Sequence, residues 1–126
     1  EETKQEGSVF GKRFGNGGGV TNAVIECFKE RGESADVKGA RCSGAAEVKK
    51  ALLLLKVGRL PEDFIEGMMC QGGCVGGPSN MKQEMAFKKD RDAVIAKADG
   101  RGVWENLKNY DMDSFSMHRS YEKPEA

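Results

Sequence analysis

At 126 residues the chain fits one small domain with a modest core, and 20 basic residues against 20 acidic ones leave no net field to attract nucleic acid or an anionic membrane. Its longest purely apolar run is the five residues 51–55, far short of a membrane span. Four unevenly placed cysteines do not build a secreted disulfide framework, so a reducing, cytoplasmic setting is the expectation, with neither nucleic acid nor membrane as partner.

In chain order, residues 1–8 (EETKQEGS) are polar and read as a frayed arm. The chain opens without Met, which suggests a piece of something longer. After the glycine-rich stretch FGNGGGV, apolar residues Val20, Ala23, Val24, Cys27 and Phe28 fall on one stripe of a helix that stops at Gly32. ADVKGARC (35–42) has weak strand character. Ser43 is placed to cap a second helix, with Val48, Ala51, Leu52 and Leu55 as its apolar face and Gly58 as its end. DFIEGM (63–68) reads as a short buried strand. Further helices are expected at about 80–98, with Val94, Ile95 and Ala98 on one face, and at 102–110, with Val103, Trp104 and Leu107. The tail from about 112 to 126 reads as flexible.

This order predicts an α/β fold: a small partial sheet, parallel or mixed, of short strands packed with about four helices. Two strands make a poor sheet alone, so the 126 residues read as one domain that is a lobe fragment of a larger one.

The strongest candidate site is EGMMCQGGCVGGP (66–78), where Cys70 and Cys74 stand four apart with Gly72 and Gly73 between them. Thiolates are the preferred ligands of iron–sulfur clusters, and a short spacing lets one loop supply two. Glycines at 72 and 73 let the backbone approach a cluster and turn its N–H groups toward anionic sulfides. A helix starting near Gly73 would add its own free N–H groups. The plain alternative is a glycine-rich turn with two incidental thiols, because zinc and redox pairs are usually separated by two residues, not three.

A single pair cannot complete a four-sulfur site. Cys27 lies on the apolar stripe of the first helix, where a buried thiol is the ordinary reading, and Cys42 ends a weak strand in a polar context, so neither is expected to ligate. FGNGGGV opens a G-x-G-x-x-G pattern but has Val20 in the last glycine position, and it reads as a tight helix entry packed against another backbone. The lone histidine, His118, sits in the tail. Glu66, if buried on its strand, needs hydrogen-bond partners or a raised pKa, and a structural hydrogen-bonding role fits it.

Beyond spacing, Glu66, Met68, Cys70, Gly73, Cys74 and Gly77 resemble the third signature motif of the iron-only (di-iron) hydrogenases, and FGNGGGVTNAVIECF resembles that family's glycine-rich turn and helix. The likeness covers roughly residues 9–80. It implies that Cys70 ligates a 4Fe-4S cubane, that Cys74 bridges the cubane to a di-iron subcluster, and that Met68 sits in the di-iron pocket as the catalytic neighbour. It also implies reversible reduction of protons to dihydrogen, anaerobic metabolism, and electrons delivered through an iron–sulfur carrier such as ferredoxin. The family's other two cubane cysteine motifs do not occur here. The expectation is therefore the C-terminal part of such an enzyme, partnered by the remainder of its chain and inactive alone, without its clusters. A hydrogenase-like iron–sulfur protein of assembly or sensory role shares the motif. A thiol or zinc module completed across a dimer is the third reading.

Overall fold

The computed structural model describes residues 7–34, 36–81 and 84–116. Its elements are α1 (Val9–Lys12), α2 (Gly19–Glu30), β1 (Gly39–Ser43), α3 (Ala45–Lys56), β2 (Phe64–Met68), α4 (Glu84–Ala96) and α5 (Val103–Leu107), with single 3-10 turns at Cys74–Gly76 and Met112–Ser114. The fold is α/β with a parallel sheet. β1 and β2 pair in parallel from Gly39 beside Phe64 to Ser43 beside Met68, and α3 forms the crossover that parallel pairing requires.

The two faces of this ribbon are used differently. On one face Gly67 lies under Val48 of α3, 3.4 Å from where a Cβ would stand, with Ala51 buried beside it. On the other, Gly39 leaves room for Thr21 of α2; a Cβ there would come within 2.8 Å of the threonine methyl. Thr21 is 1% exposed and is the most completely buried side chain among the described residues. The core is small: Ala23, Cys42, Ala51 and Ile95 are its buried apolar members, joined by buried Ser8, Thr21 and Glu66.

Several expectations change at the level of single residues. Ser8, expected in the frayed arm, is buried; it caps α1 and pairs with Asp99, whose carbonyl accepts from Val9 at 2.7 Å. Ser43 does not cap α3. Gly44 holds that position at φ +96°, a left-handed backbone that L side chains rarely adopt, while Ser43 ends β1 and its N–H donates to Glu47 at 2.7 Å. The buried side of α3 runs through Val48, Ala51 and Leu54, so Leu52 and Leu55 face solvent, each more than half exposed. Val94 is likewise exposed although its neighbour Ile95 is buried. Residues 1–6 of the expected arm, and the tail from 117 with His118, lie outside the described residues. Among the described residues no helix is long and apolar enough to cross a membrane.

Candidate metal centre: the cysteine loop and its cradle

β2 delivers two things: Glu66 on the face that meets α2, and the loop that begins after Met68. Glu66 is 5% exposed. Its Oε1 accepts from the N–H groups of Gly18 at 2.9 Å and Val20 at 3.3 Å. Its Oε2 accepts from the Thr21 N–H at 3.0 Å and from the Thr21 hydroxyl. These are the N–H groups that an α-helix leaves without partners at its start, where the helix dipole also favours negative charge. Burial alone would push the Glu66 carboxyl up. The hydrogen bonds from the Thr21 hydroxyl and from the N–H groups of Thr21, Gly18 and Val20 outweigh it, and the net pKa is lowered. Glu66 is therefore an ionised, structural cap, and the start of α2 is occupied by this carboxylate.

The capped turn is the surface on which the cysteine loop rests. Asn16 and Gly73 form an antiparallel bridge, Gly17 donates to the Gly72 carbonyl at 3.2 Å, and Val75 donates to the Gly15 carbonyl at 3.3 Å. Backbone lies on backbone here, as expected of the FGNGGGV stretch. Gly73 makes this possible: its φ is +96°, and a Cβ would collide with the Gly15 carbonyl oxygen and lie 2.8 Å from the Gly17 nitrogen. Ser43 braces the loop from the sheet, its Oγ accepting from the Gly72 N–H at 2.8 Å. The Gly73 N–H donates to the Cys70 carbonyl at 3.1 Å. Both glycine N–H groups between the cysteines are thus engaged within the protein, and the expected helix start is a single 3-10 turn over Cys74–Gly76.

The two thiols differ in exposure. Cys70 is half-buried, with its Sγ 3.5 Å from the position a Cβ on Gly77 would take, and Cys74 is exposed. Met68, half-buried at the end of β2, fixes the loop's departure by accepting from the Gly44 N–H at 2.7 Å. Cys42 is buried on the α3 face. Burial and then the carboxylates of Glu47 and Glu62 raise its pKa. Cys27 is half-buried on α2, its thiol raised by burial and by Glu30 and Glu26 against the pull of Arg31. Among the described residues no three of the His, Cys, Asp and Glu side chains come together in a group that could hold a metal.

Residues 1–78 match the family described as iron only hydrogenase large subunit, C-terminal domain. The match covers more than half of the chain and includes the whole cysteine loop. The chain belongs to this family. No curated protein and no solved structure matches it. A hydrogenase domain implies an oxidoreductase with iron–sulfur cofactors, and the donor chemistry fits that group in part. Two soft thiols on one short loop are what a cluster takes from a single segment, while a four-sulfur site needs two more.

Two features of the hydrogenase-family loop escaped the sequence reading. Ser43, 29 residues upstream of Gly72, gave no signal beyond a possible cap. That Glu66 binds the α2 start was legible only as a need for partners, because those partners lie 45 to 48 residues away.

Proposed function

We infer that this chain is the C-terminal part of an iron-only hydrogenase, in which the 70–74 loop provides two of the cluster thiolates. Cys70 would hold the 4Fe-4S cubane, Cys74 would be the thiolate shared with the di-iron subcluster, and Met68 would lie in the pocket of the di-iron unit. Gly72 and Gly73 form the thin wall of the cofactor loop. When bound, the clusters supply the electrons for reversible proton reduction to dihydrogen. The remainder of the hydrogenase chain supplies the other two cubane cysteines, and a ferredoxin-type carrier exchanges electrons with it.

The observation that carries this reading is the loop itself, which carries two thiols and is held by the Asn16–Gly73 bridge and by Ser43. The chain's own contribution is positioning. Glu66 holds the turn at 16–19 and that turn meets the cysteine backbone, which supports a positioning role for these residues. Among the described residues the sheet has only β1 and β2, and Leu52, Leu53, Leu55 and Val57 are all more than half exposed along and just after α3, which suits a piece that packs into a larger body.

The test is anaerobic reconstitution with iron and sulfide. The 126 residues alone should hold no stable four-iron cluster and evolve no hydrogen. Supplying a segment with two further cysteines should give the cubane absorption and electron paramagnetic resonance signal, lost in Cys70→Ser and Cys74→Ser. A stable cubane with hydrogen evolution from the chain alone would refute it, as would a cluster indifferent to both serine variants.

A further inference from the structure

Beside the cysteine loop, sharing Gly72 with it and Asn16, Gly17, Gly19 and Ser43 with its cradle, lies a cavity of about 500 Å³. Its walls are the turn before α2, the carboxyl end of β1, and α4. A parallel sheet concentrates ligand sites at the carboxyl ends of its strands, and this volume falls in the range of small-molecule sites.

The lining is strongly cationic although the whole chain is neutral. Arg13, Arg41, Lys88 and Arg91 face one carboxylate, Asp92. Asp92 is committed to Arg91 at 2.9 Å, and among the described residues neither Arg13 nor Lys88 is in an ion pair. Arg41 is held in place: its Nη2 donates to Asn22 Oδ1 at 2.8 Å, and its Cδ lies 3.2 Å from where a Cβ on Gly18 would stand. A guanidinium fixed in this way loses little further freedom on meeting a planar or tetrahedral oxyanion. Phe87 and Ile95 give the same cavity an apolar wall. The positive potential does not come from the start of α2, because Glu66 already occupies those N–H groups.

We propose that this cavity binds a small phosphorylated ligand bearing two or more phosphate groups, with Arg41 as its oriented donor and Arg13 and Lys88 as the arms that close on it. Cys70 and Cys74 do not line the cavity, although Cys42 does, so the anion site adjoins the cysteine loop and is read by a ligand that needs neither of its thiols. Inorganic pyrophosphate and a nucleoside diphosphate share the required chemistry. Phe87 gives the cavity an apolar aromatic wall that only the second would use.

The experiment is calorimetric titration of the 126-residue chain at low ionic strength with pyrophosphate, ADP and adenosine. One-site binding of pyrophosphate that weakens with added salt is expected. The Arg13→Glu/Lys88→Glu double variant should bind at least about tenfold more weakly, since each charged hydrogen bond lost costs about that factor. Lys49→Glu/Lys56→Glu, which adds the same charge on α3 away from the cavity, should bind as the unchanged chain does. ADP tighter than pyrophosphate assigns the nucleotide as source; equal affinities assign the inorganic anion. Far-ultraviolet circular dichroism checks that the variants fold, and the single Lys88→Glu change serves if the double variant does not. Absence of pyrophosphate binding overturns the proposal. So does a double variant that binds normally, or an α3 control that is weakened equally.

Discussion

Replacing Glu66 tests whether the carboxylate, and not merely a side chain of that size, holds α2 to the cysteine loop. Glu66→Ala removes the acceptor of four hydrogen bonds, and the donors at Gly18 and Thr21 are buried. A buried donor left without a partner costs about 1–3 kcal/mol, while Val20, only partly buried, can turn to water. The expected loss is about 3–5 kcal/mol, a large share of a small domain's total stability. Glu66→Gln keeps the shape and one acceptor oxygen but turns an amide N–H₂ toward the Thr21 donors, for a loss of about 1–3 kcal/mol. The sign of the pH dependence follows from the lowered pKa. The contribution is fully present above the ordinary glutamate value of about 4.3 and is lost as pH falls through the lower folded value. The assay is urea unfolding followed by fluorescence of the lone tryptophan, Trp104, and by circular dichroism, at neutral pH and through the acid range. The unchanged chain should lose stability on the acid side more steeply than either variant. A glutamine variant within about 0.5 kcal/mol of the unchanged chain, with the same acid limb, would refute the capping argument.

Other perturbations separate the remaining contacts. Gly73→Ala forces a Cβ into the Gly15 carbonyl at a left-handed φ, so a loss above about 2 kcal/mol is expected in thermal unfolding. Gly11→Ala, in α1 with open space around it, should be neutral or stabilising by up to about 1 kcal/mol. Glu30→Ala frees the N–H groups of Val103, Trp104 and Glu105, which its carboxylate now receives at 2.6, 3.0 and 3.2 Å. Acrylamide should then quench Trp104 more strongly, while the far-ultraviolet spectrum of the remaining helices stays unchanged. In thiol titration with a disulfide reagent, exposed Cys74 should react first and buried Cys42 last. Raising the pH should speed Cys42 and Cys27, whose thiols are held above their ordinary range.

What could be read from the residues was local. The FIEGM strand and the glycine turn carry their signals within a few positions, and both stand where expected. The α3 crossover was legible as a helix, and Val48 and Ala51 as part of its buried side, but Leu52 and Leu55 were not separable from Leu54. Four consecutive leucines satisfy any rotation, and the choice fell to Val48 packing on Gly67. Ser43 was misread because Gly44 alone tolerates the backbone angle at that corner. The cationic cavity was invisible for a different reason: Lys88 and Arg91 lie together on α4, but residues 13 and 41 come from distant stretches and meet them only through packing.

The two distant caps cross in time. α2 is complete by Glu30, yet the carboxylate that seals its start comes from position 66; α5 begins at Val103, yet its seal was laid down at position 30. During synthesis the first of these helices must emerge with its leading N–H groups facing water until β2 follows. The last meets a receptor already waiting. A ribosome stalled before residue 66 should therefore carry an α2 that exchanges its amide hydrogens freely, and one stalled beyond it an α2 that does not.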